Sequence, residues 1–391
     1  MLSRRLFLKS TALIGCSAAA HPLLSSATFA AAPGDNRLVV IILRGAMDGL
    51  DAFQPYGDPA LRGLRQTLSL GPDHGATDLD GFFALHPGLS ELMPLWQAGQ
   101  LAFAPAVSTP YRDKRSHFDG QTMLEAGTGT DLDLDAQQDG WLNRLLQAMP
   151  GQASETAYSV GVSQMRILQG QAPAKSWTPK AQMDLSPQAK QLLTRIYHDD
   201  PLFRDASAQA MEIVASLSPD LATGKPGQDH LEIARFAADR LNGQTRIASF
   251  SIGGWDTHAG QAGSLPRMLG RLADTILTLK ADLGANWDRT TVMAMTEFGR
   301  TVRENGSAGT DHGTGGTLLV AGGAVRGGRM MGDWPGLAEG DLYDGRDLMP
   351  LRDIRAYAAW AMHAKFGIDR ATLEGSVFPG LDMGSDPRMT A

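Results

Sequence analysis

Between the apolar runs TTVMAMT and TLLVAGGAV the chain reads TEFGRTVRENGSAGTDHGTGG, residues 296–316. Glu297, Asp311 and His312 bring carboxylate and imidazole ligands, Arg300 and Arg303 bring guanidinium groups, and glycine fills much of the rest. Glycine lets backbone approach a bound group closely, so the loop reads as a ligand-holding segment; a flexible surface loop has the same composition. A second pair lies upstream in WDTH, where Asp256 and His258 are two residues apart. On extended backbone, residues i and i+2 point to one side, so both reach one ion. A carboxylate with an imidazole suits Zn²⁺ or Mn²⁺, and with more oxygens Ca²⁺ or Mg²⁺. An ordinary turn, with Asp256 bonded to nearby backbone, satisfies the same pair.

Ser116 stands in RSHFDGQTMLEAG just before an expected helix. A hydroxyl there sits among free N–H groups at the positive end of the helix dipole, where an attack on phosphate or sulfate is favoured. Serine is equally a common helix cap. Arg300 and Arg303 fit two-pronged binding of an anion or plain surface charge.

These residues need elements to hold them. RLVVIIL, Arg37 to Leu43, is a continuous β-branched run of the kind found in buried parallel strands. GQLAFAPAV, ending near Val107, QTRIASFSIGG, ending near Gly253, DRTTVMAMT and GGTLLVAGGAV are further expected strands. Helical spacing separates them: LSELMPLWQAG after Ser90, the long amphipathic SLPRMLGRLADTILTLKADLG, and DIRAYAAWAMHAKFG with Gly367 as its stop. Strands alternating with helices imply an α/β fold, a doubly wound, mostly parallel sheet flanked by helices. Ligands in such sheets gather at the carboxyl ends of the strands. Asp48, Ser116, Asp256 with His258, and Glu297 each follow an expected strand, and Asp311-His312 lie in the loop entering the fifth. Residues of about 128–235 break the alternation and read as an insertion or cap, helical from Gln188 to Leu217.

The 391 residues carry a net charge of −7 with no Lys/Arg stripe, which argues against nucleic acid as a partner. Residues 1–30 read as an export signal: Arg4-Arg5 precede Phe7-Leu8-Lys9, a short apolar stretch follows, and SATFAAAPGD offers cleavage after Ala30. This twin-arginine pattern implies a folded protein delivered to the periplasm or secreted, with residues 31–391 as the mature α/β domain. The apolar stretch is too short to remain as a transmembrane span. The sole cysteine, Cys16, lies inside the signal, so the mature chain has no disulfide and no thiolate site. LIGC, Leu13 to Cys16, also resembles a lipoprotein cleavage box, which makes a lipid anchor at Cys16 the alternative.

Taken together, LRGAMDGLDAFQPYGDP, RSHFDGQ, GGWDTHAGQ, TEFGRTVRENG and GTDHGTGG resemble an uncharacterised twin-arginine-exported family within the alkaline phosphatase/sulfatase superfamily. The resemblance spans nearly all of the mature chain. It implies an alkaline-phosphatase-like fold holding one or two divalent metals beside a nucleophile. Ser116 matches the nucleophile; Asp48, with Asp51 as fallback, matches the metal ligand after the first strand; Asp256, His258 and His312 match the ligands of one metal. TEFG stands where the superfamily has Asp-His-Gly: Glu297 replaces the Asp, but Phe298 cannot replace the His. Four outcomes follow: His117 compensates, Asp311 compensates, a single metal binds, or the protein is a non-catalytic relative. The implied function is metal-dependent hydrolysis of a small anionic phosphate or sulfate ester. The alternative is a binding or accessory protein acting with an unknown exported partner.

Overall fold

The computed structural model describes residues 27–31, 34–68, 71–112, 114–130, 139–149, 165–172, 174–177 and 228–390. The twin-arginine pair, Cys16 and the helix expected over Gln188 to Leu217 lie outside them. All five expected strands are present: β2 (Arg37–Arg44), β6 (Leu101–Ser108), β8 (Thr245–Gly253), β9 (Thr290–Met295) and β10 (Gly316–Ala321). With β1 (Ala27–Ala31), β7 (Lys175–Trp177), β11 (Arg329–Met330) and β12 (Arg352–Asp353) they form one sheet, in the order β11-β6-β10-β9-β2-β8-β1-β7, with β12 also on β6. A small separate sheet joins β3 (Phe53–Gln54), β4 (Thr77–Asp78) and β5 (Ala84–Leu85). The cleavage expected after Ala30 falls within β1, which pairs with β8 and β7.

β2 shows why the sheet is central. It is buried on both sides, and alternate residues face opposite ways. Val39, Ile41 and Leu43 join one apolar cluster, and Leu38, Val40 and Ile42 join another. The first cluster is closed by helices whose apolar residues face it, Asp229–Asn242 and Gln261–Leu283. The second is closed by Trp141–Ala148 and Ile354–Phe366. We label the helices used below α1 (His117–Ala126), α2 (Trp141–Ala148), α3 (Asp229–Asn242), α4 (Gln261–Leu283) and α5 (Ile354–Phe366). The result is helix, sheet, helix in three layers. Gly367 ends α5 in the left-handed conformation at φ +68°, as its place after the last apolar residue implied. Of the segment expected as an insertion or cap, the described parts pack into the main body: Trp141, Leu145, Ile167 and Leu168 belong to the second cluster.

One direction differs from the expectation of parallel strands. β10 runs antiparallel to both β6 and β9, while β2 is parallel to β8 and β9. The sheet is therefore mixed, though mostly parallel. A parallel connection needs a crossover, usually a helix, whereas antiparallel neighbours can be joined directly. Residues 296–315 contain no helix, so the chain leaves β9 and re-enters the sheet as β10 at the same edge. That reversal brings His312 to the edge where β2, β6, β8 and β9 end. Among the described residues, no helix is long and apolar enough to cross a membrane.

Candidate metal centre

Each contributing segment is shaped locally. After β8, Gly254 adopts φ +98°, and the next residues alternate: Trp255 and Thr257 are buried while Asp256 and His258 face outward. The i, i+2 geometry expected of Asp256 and His258 is thus present. Residues 299–301 and 311–314 close into a narrow hairpin, with Gly313 N–H donating to Gly299 O at 2.8 Å and Thr301 N–H to Asp311 O at 2.9 Å. A Cβ on Gly313 would lie 2.4 Å from the Arg300 carbonyl carbon, and one on Gly309 2.5 Å from the His258 carbonyl oxygen. The glycines are therefore needed for backbone packed against backbone. α1 begins at His117, capped by Ser116, whose Oγ accepts from Asp119 N–H at 3.3 Å.

Three imidazoles converge on one carboxylate oxygen. Asp256 Oδ1 lies 3.1 Å from His258 Nε2, 3.1 Å from His312 Nε2 and 3.4 Å from His117 Nε2. His258 Nε2 and His312 Nε2 are 2.9 Å apart. Suitable atoms of His117, Asp256 and His312 all lie within 4.8 Å of one another. Around one tetrahedral ion with bonds of about 2.0–2.1 Å, ligand atoms stand roughly 3.3 Å apart, so the spacing fits a shared cation.

The far side of each ring explains which nitrogen is free. His312 Nδ1 faces the Arg115 carbonyl at 3.0 Å, which can only accept a hydrogen bond. His258 Nδ1 faces Asp311 Oδ1 at 3.2 Å, and His117 Nδ1 faces Glu297 Oε1 at 2.8 Å. Each partner holds the proton on Nδ1 and turns the Nε2 lone pair toward Asp256, the arrangement by which metal-binding histidines are oriented. His117 Nε2 is buried without a hydrogen-bond partner. Two Nε2 lone pairs facing at 2.9 Å repel unless a cation or proton lies between them. The residues thus fit a divalent ion: His117, Asp256 and His312 would hold it, with His258 beside them. A set of nitrogens and one oxygen, without sulfur, suits Zn²⁺ or Mn²⁺.

The electrostatics agree. With no ion bound, the Asp256 carboxyl is held down at about 2: burial pushes it up, but hydrogen bonds from His312, when its Nε2 carries a proton as well, and from Arg300 prevail. The hydrogen bond to Glu297 raises the His117 pKa against the opposing effect of burial. Burial lowers that of His312, against its bond to Asp256. Asp256 and His258 side chains remain 45 % and 43 % exposed, so the centre is open to an incoming molecule.

The other expected ligands take different roles. Glu297 is buried and fully engaged: Oε1 accepts from His117, from Gln121 Nε2 at 3.0 Å and from Gly45 N–H at 2.8 Å, and Oε2 accepts from Thr296 Oγ1 at 3.1 Å. It orients His117 rather than facing the shared oxygen. Asp48 is also buried and engaged elsewhere, with Oδ2 accepting from Arg65 Nη1 at 2.7 Å and Gln261 Nε2 at 2.7 Å, and Oδ1 from Leu50 N–H. Asp51 accepts from the same Gln261 nitrogen at 2.8 Å. Asp311 orients His258 and is itself held by Asn305 Nδ2 at 3.0 Å.

Arg300 is no anion clamp. It is buried, and its donors go to the carbonyls of Gly45, Ala46, Trp255 and Thr310 and to Asp256 Oδ1 at 2.6 Å. Arg303 is exposed. Phe298 packs, stacked on His117 at 5.1 Å and on Tyr111 at 6.1 Å between ring centroids, so His117 stands over the position where a histidine was missing. Sequence reasoning missed the Arg115 carbonyl, Gln121, Asn305 and Gln261. Only Gln121 left a trace, one helical turn after His117.

A family profile described as "Protein of unknown function (DUF1501)" matches residues 35–371. The chain belongs to the DUF1501 family. Comparison with curated proteins gives no match. The DUF1501 span includes every residue of the centre, from Gly45 to His312, as well as α5.

Proposed function

We propose that this DUF1501 protein is an exported, metal-dependent hydrolase of phosphate or sulfate esters, with Ser116 as the attacking hydroxyl and an alkaline-phosphatase-like relationship behind it. One observation carries the reading: three histidines, each with Nδ1 held by an acceptor, turn Nε2 toward a single oxygen of Asp256. A bound Zn²⁺ or Mn²⁺ supplies positive charge that polarises an ester oxygen and favours the ionised nucleophile.

The chain's own residues supply the rest. Ser116 adjoins His117 and sits at the start of α1, where unpaired N–H groups favour a negative group. Its Oγ accepts from Asp119 N–H, so the cap uses a lone pair and not the hydroxyl proton. Glu297 keeps His117 in one tautomer, and Arg300 holds Asp256 in place. Lys114 and Arg115 are exposed beside the serine and add positive charge for attracting an anion. The Arg4-Arg5 segment supports export in folded form.

A second reading, a binding or accessory protein on this fold, is favoured by the capping role of Ser116 and by Phe298 in place of a ligand. Metal analysis of the purified protein, with assays on aryl phosphate, phosphodiester and aryl sulfate esters, separates the two. The hydrolase reading expects bound metal and cleavage of at least one ester class that Ser116→Ala abolishes. Bound metal with no cleavage of any ester gives the accessory reading the lead.

A further inference from the structure

Gln261 opens α4, and its side chain is fully buried. A primary amide has two N–H donors and two acceptor lone pairs, and here all four are engaged. Nε2 donates to Asp48 Oδ2 at 2.7 Å and to Asp51 Oδ2 at 2.8 Å. Oε1 accepts from Thr257 Oγ1 at 2.8 Å and from Thr310 Oγ1 at 2.8 Å. The carboxylates take the donors and the hydroxyls face the carbonyl oxygen, so the amide has one orientation.

The residues it touches are not ligands but lie between or near them. Thr257 is the inward-facing residue between Asp256 and His258, and Thr310 is the buried residue two before His312. The backbone joins the same loops: Thr310 N–H donates to Thr257 O at 3.1 Å, and Gln261 N–H donates to Ala308 O at 2.9 Å. On the opposite side, Asp48 caps the short helix Gly49–Ala52 after β2 and is held by the buried Arg65. Gln261 therefore ties both ligand loops to the rigid end of the central strand.

We infer that Gln261 is a positioning residue of the metal centre: its amide helps set the separation between the loop carrying Asp256 and His258 and the loop carrying His312. This rests on the metal-centre reading. His258 and His312 bring their Nε2 atoms to 2.9 Å from opposite loops; Arg300 and Asn305 also bridge these loops, and among the described side chains Gln261 alone bonds to both inner residues, Thr257 and Thr310. A structural role alone affects the stability of the metal-free protein. A positioning role also affects how the folded protein holds an ion.

The test measures zinc affinity by competition with a chromophoric chelator, the visible spectrum of the Co²⁺-substituted protein, and the thermal midpoint of the metal-free form. Four proteins are compared: wild type, Gln261→Met, the Thr257→Val/Thr310→Val pair and the Thr257→Ser/Thr310→Ser pair. His312→Ala serves as the control for the centre. The valine pair leaves both carboxylate contacts of Gln261 and its backbone bond to Ala308 intact, and removes its side-chain ties to the loops together with the longer 3.5 Å contact from Thr310 Oγ1 to Asp48 Oδ2. It is expected to fold, to bind zinc roughly tenfold or more weakly, the size seen when outer partners of ligands are lost, and to shift the cobalt spectrum. The serine pair restores the hydroxyls and with them affinity and spectrum. A valine pair that binds zinc at wild-type affinity with an unchanged spectrum overturns the inference, even if Gln261→Met fails to fold. If wild type and His312→Ala both bind no zinc, the metal centre itself is refuted and the inference falls with it; if wild type binds and His312→Ala does not, the valine pair alone decides.

Discussion

Glu297→Gln and Glu297→Ala separate orientation from packing at the core of the site. The carboxylate is fully buried and accepts from His117, Gln121, Gly45 N–H and Thr296. In Glu297→Gln the amide oxygen can take the place of Oε1 and keep three donors paired, while the amide N–H groups face Thr296 Oγ1. What is lost is charge. Hydrogen bonds to a charged group contribute about 1.5–3 kcal/mol against about 0.5–1.5 for neutral ones, so three weakened bonds lose roughly 3 kcal/mol in all. Relief from burying an ion offsets part of this, and a net loss of about 1–2 kcal/mol, a few degrees in thermal midpoint, is expected. Glu297→Ala instead strands several buried donors at about 1–3 kcal/mol each and opens a cavity, so a loss on the order of 5 kcal/mol is expected. Zinc affinity should fall roughly 10- to 100-fold in Glu297→Gln, because His117 loses the anion that makes it a better ligand. Chelator competition and thermal melts of the metal-free proteins measure both. Unchanged zinc affinity in Glu297→Gln, or a wild-type midpoint in Glu297→Ala, refutes the reasoning.

Three further outcomes are expected. Asp51 is raised from 3.8 to about 6, by burial first and by the Asp48 charge second; the folded state then holds the extra proton between these values, so stability falls as pH rises from about 4 to 6, by about 3 kcal/mol in full. Asp51→Asn should remove that slope, and thermal midpoints of both proteins across pH 4–7.5 that stay parallel contradict it. Ser116→Ala should retain metal and fold while losing ester hydrolysis, since it removes the attacking oxygen and otherwise only the cap on α1, at about 1 kcal/mol; hydrolysis of a confirmed substrate at the wild-type rate shows another nucleophile. Replacing Arg4 and Arg5 by lysine should leave the precursor in the cytoplasm, as fractionation and immunoblotting will show; normal export of that variant rejects the twin-arginine reading.

The five expected strands were legible because they are runs of largely apolar, often β-branched residues, as β2 shows most plainly; the other four strands of the sheet, β1, β7, β11 and β12, are two to five residues long and were not. The direction of β10 was not, since a buried run looks alike either way round and the missing crossover helix is the deciding fact. In the site, the convergence of Asp256, His258 and His312 was legible from their spacing and their glycine setting. The roles of Asp48 and Glu297 were not, because a carboxylate's role depends on which donors already occupy it. Those donors, Arg65 and Gln261 for one and His117 and Gln121 for the other, are distant in sequence. The buried place of Arg300 was hidden for the same reason. Nothing near it in sequence reveals that the carbonyls of Gly45, Ala46 and Trp255 meet around its guanidinium.

The central claim is that His117, Asp256 and His312, with His258 beside them, hold a divalent ion. Its most direct test is elemental analysis of the full chain after reconstitution with Zn²⁺ or Mn²⁺ and exhaustive removal of free metal, beside His312→Ala treated in the same way. The account predicts at least one ion per wild-type chain, lost in His312→Ala together with the thermal stability that the ion adds to the native state. Wild-type protein without bound metal, or His312→Ala retaining the full complement, contradicts it.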